Sequence, residues 1–282
     1  MAILTISREF GSGGREIGQA IADAMGYDYV DRKRILDDMK REGKIWEDKA
    51  KQFDENYPDV WERSDWAFKG FVVLNQSHFL QYAVKGNVVI IGRGGNFLLK
   101  PFPFVLKVRV KAPLEKRVER VMAREGINSE NAQYLIEKAD SEMSKAVYLI
   151  YGKDWDDAEE YDLVFDTSKQ DQNEIISILK SVLLEKDSHN TPEARQALEL
   201  RALAEKIKAA VLTDPRFLIS AFDVDPKEEG LAKYGFLVQG LVHKHEDVGQ
   251  IEEIVKKLAG DMPVEFRVSC KTFSRFGRLN FT

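Results

Sequence analysis

A glycine-rich turn between a short apolar strand and an amphipathic helix constrains this chain more than any other feature. Residues 2–7, AILTIS, have the composition of a short buried strand. The turn REFGSGG follows, and then REIGQAIADAMG has apolar residues at helical spacing, with Gly26 as a helix stop. Glycines allow main-chain N–H groups to point into one concavity, and a helix N-terminus adds partial positive charge. The turn is therefore either an anion cradle or a tight turn without a ligand.

This turn departs from the standard phosphate loop, GxxxxGK[ST]. When the GK pair is aligned with Gly13-Gly14, Arg8 takes the place of the first glycine, Gly14 that of the lysine and Arg15 that of the Ser/Thr. The lysine that would contact the β- and γ-phosphates is absent, and so is the hydroxyl for magnesium. An arginine fork can hold phosphate, so we expect Arg8 or Arg15 to supply the charge.

Strands alternate with helices over the first 180 or so residues. Four more strand patterns follow the first one, at YDYVD (27–31), NVVIIG (87–92), PFVLKVRVKA (103–112) and YDLVFDTS (161–168). Helical patterns separate them, and NVVIIG has the continuous apolar composition of a strand that is buried on both faces. This alternation predicts an α/β fold with a doubly wound parallel sheet.

A second, smaller domain is expected after a polar, proline-containing stretch at 186–192, KDSHNTP. The patterns that follow are helix, strand, strand, helix and strand, which predicts a small α+β domain. We therefore predict a first domain over residues 1–186, a linker over 187–193 and a second domain over 194–282. The tryptophan-containing segment 45–66 is either a flap over a site or an ordinary packed surface helix.

The motifs together resemble one known family. ITISREFGSGGREIG, then YDYVDRKRI, then VVIIGRGGNFLL are similar to the cytidylate kinase-like family of P-loop nucleotide kinases, over roughly residues 2–185. The resemblance implies ATP and Mg²⁺ as cofactors, and a nucleoside monophosphate or a similar small metabolite as the phosphate acceptor. The residues expected to hold ATP are those of the turn, namely Arg8, Gly11, Ser12, Gly13, Gly14, Arg15 and Glu16.

The same resemblance places acceptor recognition after the second and third strands. It implies that Asp31, Arg32 and Asp140 bind the acceptor, and that Arg93 in GRGGN reaches the acceptor phosphate. Spacing supports Arg93 independently, because an arginine just past a buried strand points into the crevice where α/β proteins bind ligands. The alternative is a glycine-rich loop with a solvated arginine.

A basic helix follows the fourth strand. Arg117, Arg120 and Arg124 are spaced to share one helical face. The face is either a lid that neutralises the transferring phosphoryl group or a solvated surface paired with Glu115 and Glu119. The residues expected to act in catalysis are thus Arg15, Arg93, Arg117 and Arg120.

The next helix departs from the family pattern Asp-x-x-Arg. Here it reads Asp140-Ser141-Glu142-Met143, so methionine replaces the arginine. Candidate acidic residues for magnesium are Asp31, Asp140 and Asp166, although Asp166 is more typical of a cap on the following helix. No nucleophilic triad is evident.

Composition limits the partners and the compartment. A net charge of −5 gives no broad attraction to nucleic acid, and the single cysteine fits a reducing compartment, so we expect a cytoplasmic protein without a membrane span. His243 and His245 are expected to alternate along one strand and share a face, which is more typical of a solvated surface than of a metal site.

The second domain resembles a BON domain, a small ligand- or surface-binding module. Its basic side is expected either to be solvated or to meet an anionic partner; the residues are Lys256, Lys257, Arg267, Lys271, Arg275 and Arg278. The leading hypothesis for the whole chain is an ATP-dependent kinase. The alternatives are a nucleotide-binding sensor that lacks turnover, and a scaffold that binds only free phosphate. The oligomeric state is left open.

Overall fold

The computed structural model describes residues 2–55, 66–92, 94–229 and 233–271. The chain divides into two compact units. One comprises Met1–Arg41 and Tyr82–Arg195, and the other comprises Glu42–Gln81 and Gln196–Thr282. The predicted domain limits, with a linker at 187–193, stay a prediction.

The first unit is built on a five-stranded parallel sheet in the order β2-β3-β1-β4-β5. Its strands are β1 (Ile3–Arg8), β2 (Asp28–Val30), β3 (Val88–Ile91), β4 (Val105–Lys111) and β5 (Leu163–Asp166). The first strand is central and nearly all buried, as its unbroken apolar run requires. The prediction of a doubly wound parallel sheet is confirmed.

Eight α-helices lie between or after these strands along the described part of the chain. They are α1 (Gly14–Met25), α2 (Arg32–Arg41), α3 (Lys44–Glu55), α4 (Trp66–Lys85), α5 (Gly95–Leu98), α6 (Leu114–Glu125), α7 (Ser129–Tyr151) and α8 (Gln172–Asp187). Gly26 ends α1 in the left-handed conformation, at φ 65°, as the sequence predicts.

The core of the first unit lies between the sheet and two helices. Apolar side chains of α1 and α8 pack with those of β1, β3 and β4 in one buried cluster. Gly18 allows α1 to approach the sheet closely, because a Cβ there would lie 2.4 Å from Ile91 Cδ1. This contact fixes the start of α1, and hence the glycine turn, against the ends of β1 and β3.

The second unit contains the predicted order of helix, strand, strand, helix and strand. These elements are α9 (Pro192–Leu212), which begins in the first unit, β6 (Ile219–Glu229), β7 (Lys233–Val242), α10 (His245–Ala259) and β8 (Val264–Cys270); the unit also includes α3 and most of α4. The strands β6 and β7 pair antiparallel, and β7 and β8 pair parallel around α10. A second small α+β fold is therefore present.

The tryptophan-containing segment is packed where it is described. Trp46 of α3 is buried, and its ring centre lies 5.4 Å from that of Trp66. Its ring also packs against Gly70, where a Cβ would collide with it. Trp61 lies outside the described residues. No helix in the described part of the chain is long and apolar enough to cross a membrane.

Two local predictions are wrong. His243 and His245 do not share a strand face, since β7 ends at Val242 and α10 begins at His245. Lys244 occupies the N-cap between them, so the chain turns there. Asp166 does not cap α8 either, because Asp171 accepts from the N–H groups of Asn173 and Glu174 at the helix start.

Candidate functional site

A cleft of about 1620 Å³ opens in the first unit where β1 ends and α1 begins. The glycine turn, the start of α2 and the facing sides of α6 and α7 line it. Ligands of parallel α/β sheets bind outside the carboxyl ends of the strands, where the strand order reverses. This cleft, beside the central strand, has that position.

The glycine turn has the backbone of an anion cradle. Gly13 precedes α1 at φ 86° and lines the cleft, and Gly11 has φ 79°. No larger residue fits at position 11 without a shift of its neighbours, because a Cβ there would lie 2.9 Å from Val121 Cγ2. The first amides of α1, at Gly14, Arg15 and Glu16, have no intrahelical acceptor by geometry. The turn therefore presents main-chain donors to the cleft.

Arg8 and Arg15 extend from the turn toward the carboxyl ends of β3 and β2. The guanidinium of Arg8 lies against Gly92 at the end of β3, where a Cβ would be 2.4 Å from its Nη1. The guanidinium of Arg15 is 3.3 Å from Asp31, and Asp31 also accepts from the N–H of Arg34 at the start of α2. Both arginines line the cleft, together with Arg32.

The basic face of α6 lies against the glycine turn. Arg117 Nη1 donates to the carbonyl of Phe10 at 3.4 Å, and Arg120 Nη1 donates to the carbonyl of Ser12 at 3.0 Å. Arg124 stacks on the ring of Phe10, with its Cζ 5.0 Å from the ring centre. All three arginines thus share one face, as expected. The role of that face as a phosphoryl-neutralising lid stays a prediction.

Asp140 is engaged with the turn. It accepts from the N–H of Phe10 at 2.9 Å and pairs with Arg117. It therefore ties α6 and α7 to the residue before the first glycine. Met143, one turn further along α7, lines the cleft where an arginine would supply charge.

The carboxylates do not fit a magnesium ion held by the protein alone. Among the described residues, no group of three or more His, Cys, Asp or Glu side chains could hold a metal. Asp31 and Asp140 have the partners given above, and hydrogen bonds from Ser168 lower the pKa of Asp166. Magnesium often binds through substrate phosphates with few protein ligands.

A buried hydrogen-bonded group lies beneath the turn and is not among the residues expected from the sequence. Ser7 Oγ accepts from Trp155 Nε1 at 2.8 Å and from Arg109 Nη1 at 3.1 Å, and Tyr161 Oη is 3.2 Å away. Arg109 stacks on the Trp155 ring at 3.9 Å and pairs with Asp156. Burial raises the pKa of Tyr161. No sequence pattern signals this group, because its members are up to 154 residues apart.

Tyr29 and Thr167 also belong to the cleft lining, and neither is among the residues expected from sequence. Burial raises the pKa of Tyr29, and the nearby Asp31 charge adds to that shift. Thr167 Oγ1 donates to the carbonyl of Ser12 at 2.7 Å. Its place after β5 was the available signal, since every strand of a parallel sheet ends at the same edge.

Some expected residues are not described. Arg93 lies outside the described residues, and so do Arg275 and Arg278 of the basic C-terminal side. Two others of that side are paired within the second unit, Lys256 with Glu252 and Arg267 with Glu265. An anionic partner for that unit, its resemblance to a BON domain and a cytoplasmic location stay predictions.

A parallel sheet in this order, with a glycine turn after its central strand, defines an α/β protein of the phosphate-loop kinase fold. Residues 3–169 match the cytidylate kinase-like family. A cytidylate kinase of Methanopyrus kandleri is 31% identical over 64% of this chain and 92% of its own length. One of Methanocaldococcus jannaschii is 32% identical over 64% of this chain and 97% of its own length.

A crystal structure of an uncharacterized protein from Eubacterium ventriosum has the same fold. It superposes with a TM-score of 0.53 at 18% sequence identity, and covers 65% of this chain and 98% of its own. The match over residues 3–169 exceeds half of the chain, so this protein belongs to the cytidylate kinase-like family.

Proposed function

We propose that the first unit transfers the γ-phosphoryl group of ATP to a nucleoside monophosphate or a similarly sized metabolite. One observation carries this proposal: the glycine turn presents main-chain donors from Gly13 to Glu16 to a cleft of about 1620 Å³. The relatives of this region that are named cytidylate kinases support the same reaction class.

The turn and the first turn of α1 would hold the donor phosphates. The amides of Gly13, Gly14 and Arg15 would donate to phosphate oxygens, and the helix N-terminus would favour the negative charge. A nucleoside triphosphate bound there supplies the phosphoryl group. The bond from its γ-phosphorus to the β,γ-bridging oxygen breaks as a bond to the acceptor oxygen forms, and the protein positions the two ends.

The acceptor would lie on the side of the cleft formed by β2, β3 and α2. Arg8 and Arg15 reach this side from the turn, and Asp31 holds Arg15 there. Arg32 and Tyr29 line the same region. From its sequence position just after β3, we propose that Arg93 serves the same acceptor. A phosphate-bearing acceptor matches arginine forks better than a neutral sugar does.

Two matched glycine variants test the proposal. Gly13→Ala and Gly26→Ala both place a methyl group at positive φ, at 86° and 65°, so both carry similar backbone strain. Neither new Cβ has a neighbour closer than 3.7 Å. Only Gly13 lines the cleft, so only Gly13→Ala should abolish calorimetric ATP binding and turnover in a coupled assay across nucleoside monophosphates. Equal loss in both variants would contradict the proposal.

A nucleotide-binding sensor without turnover is the second candidate. Gly14 and Arg15 replace the lysine and the hydroxyl of the standard loop, and Met143 replaces the arginine of the family pattern. ATP binding without phosphate transfer to any nucleoside monophosphate would support this candidate. Transfer at any acceptor would exclude it.

A further inference from the structure

Two carbonyl oxygens of the glycine turn accept hydrogen bonds from arginine guanidinium groups. The Phe10 carbonyl accepts from Arg117, and the Ser12 carbonyl accepts from Arg120. The Ser12 carbonyl has a second donor, Thr167 Oγ1 at 2.7 Å, and this hydroxyl in turn accepts from Arg120 at 2.8 Å. Arg120 also donates to the Thr167 carbonyl at 3.1 Å, which fixes its fork in place.

Each of these carbonyls shares a planar peptide group with the N–H of the next residue. The Ser12 carbonyl and the Gly13 N–H point in opposite directions from one peptide group, as do the Phe10 carbonyl and the Gly11 N–H. A charged donor on the oxygen polarises the group and makes the N–H a stronger donor, because hydrogen bonds in a chain reinforce one another. Gly11 and Gly13 both line the cleft.

We propose that Arg120, with Thr167, and Arg117 are positioning residues that polarise the Gly13 and Gly11 amides through the peptide groups of the turn. The Arg120 guanidinium, which itself lines the cleft, thereby acts through the Ser12 carbonyl where the standard loop would use its lysine. This inference rests on the proposed function only for the anion that the amides bind; the polarisation itself belongs to the protein without ligand.

The position differs from that of a lid. A lid arginine acts by contact with the transferring phosphoryl group, so its removal changes turnover and leaves the turn amides as they were. A guanidinium on the Ser12 carbonyl changes the Gly13 amide before any ligand arrives. The two roles therefore differ in a measurement made on the ligand-free protein.

Amide chemical shifts of protein labelled with ¹⁵N-glycine test the inference directly. Arg120→Gln and Thr167→Val should each move the Gly13 amide proton and nitrogen upfield, since each removes a donor from the Ser12 carbonyl. Lys116→Gln is the matched control: it removes one positive charge from the same helix, where Lys116 is exposed and paired with Glu119. It should leave Gly13 unchanged. An unmoved Gly13 signal in both folded variants would overturn the inference.

Titration with inorganic tripolyphosphate separates this inference from the proposed function. The probe has no base or ribose, so it reports on the phosphate cradle alone. We expect binding about tenfold weaker in Arg120→Gln and about threefold weaker in Thr167→Val. If the Gly13 signals move but the wild type does not bind tripolyphosphate, the polarisation stands and the proposed phosphoryl transfer is contradicted. If the wild type binds tripolyphosphate but the Gly13 signals do not move, the polarisation is contradicted and the proposed phosphoryl transfer stands.

Discussion

Arg8 and Gly14 compete for one space at the base of the glycine turn. A Cβ built on Gly14 would lie 2.6 Å from Arg8 Cβ and 3.1 Å from Arg8 Cγ. The nearest atoms belong to the stem of Arg8 and not to the far end of a flexible chain, so they cannot yield without moving β1. The two departures from the standard loop are therefore coupled: arginine at the first-glycine position requires glycine at the lysine position.

This coupling predicts that the standard lysine cannot be restored alone. Gly14→Lys should lower the free energy of unfolding by roughly 1–3 kcal/mol through overpacking. Arg8→Gly/Gly14→Lys should recover part of that loss, because the glycine removes the closest atoms while Val110 Cβ, 3.1 Å from the same position, remains. Urea denaturation of the wild type, both single variants and the double variant measures the coupling free energy. Additive effects would show that the two residues do not compete.

Removal of the Ser7 hydroxyl should destabilise the first unit. Ser7→Ala leaves the buried donors of Trp155 and Arg109 without their acceptor, and a buried unsatisfied group costs about 1–3 kcal/mol. The phenol of Tyr161 has one proton, which goes to the Trp155 carbonyl at 2.9 Å, so the Ser7 hydroxyl donates to Tyr161 and that bond is lost too. Thermal denaturation measures the loss.

The control for Ser7 is Ser181→Ala. Ser181 is an exposed residue of α8, and its hydroxyl bonds only the Ser177 carbonyl one turn earlier. Its replacement should change the melting temperature little. Equal effects of the two substitutions would contradict a special role for the buried Ser7 group.

Glu205 should make the second unit less stable as pH rises. Burial raises the pKa of this carboxyl, which is 2% exposed. Arg201 and Lys208 on α9 oppose the shift, while Asp223 and Asp225 on β6 add to it. A raised folded pKa contributes stability that is full below the unfolded value and is lost as pH rises through the folded value.

Urea midpoints of the wild type and Glu205→Gln from pH 4 to 8 should converge at the acidic end. A wild type that gains stability over Glu205→Gln toward neutral pH would refute the sign.

Glu160 should show the opposite dependence. Hydrogen bonds from Lys100, at 2.6 Å, and from Lys153, at 3.0 Å, lower the pKa of this buried carboxyl. A lowered folded pKa contributes stability above the unfolded value, about 4.3, that is lost as pH falls through the folded value. Compared with Glu160→Gln, the wild type should be more stable at neutral pH and lose that advantage in acid. An advantage that is constant with pH would exclude the ion pairs as its cause.

The order of elements and the place of the cleft were predictable because the signals for both are local. Apolar runs and helical spacing depend on neighbours in the chain, and the left-handed Gly13 and Gly26 lie where glycine punctuates the sequence. The carboxyl edge of a parallel sheet then places Arg8, Asp31 and Thr167 around one crevice. The prediction for His243 and His245 was wrong because alternation over three residues does not reveal that the strand has ended.

The sequence by itself determined a phosphate-loop α/β unit followed by a small α+β unit, and it located the turn that lacks the standard lysine. Only the tertiary structure decided the partners of the charged groups. Phe10 meets Asp140 across 130 residues, and Ser12 meets Arg120 across 108. Such pairs form only when the sheet and the α6–α7 helices close on the turn. Each arginine offers several donors in a long flexible arm, so packing, and not spacing along the chain, selects which carbonyl or carboxylate it binds.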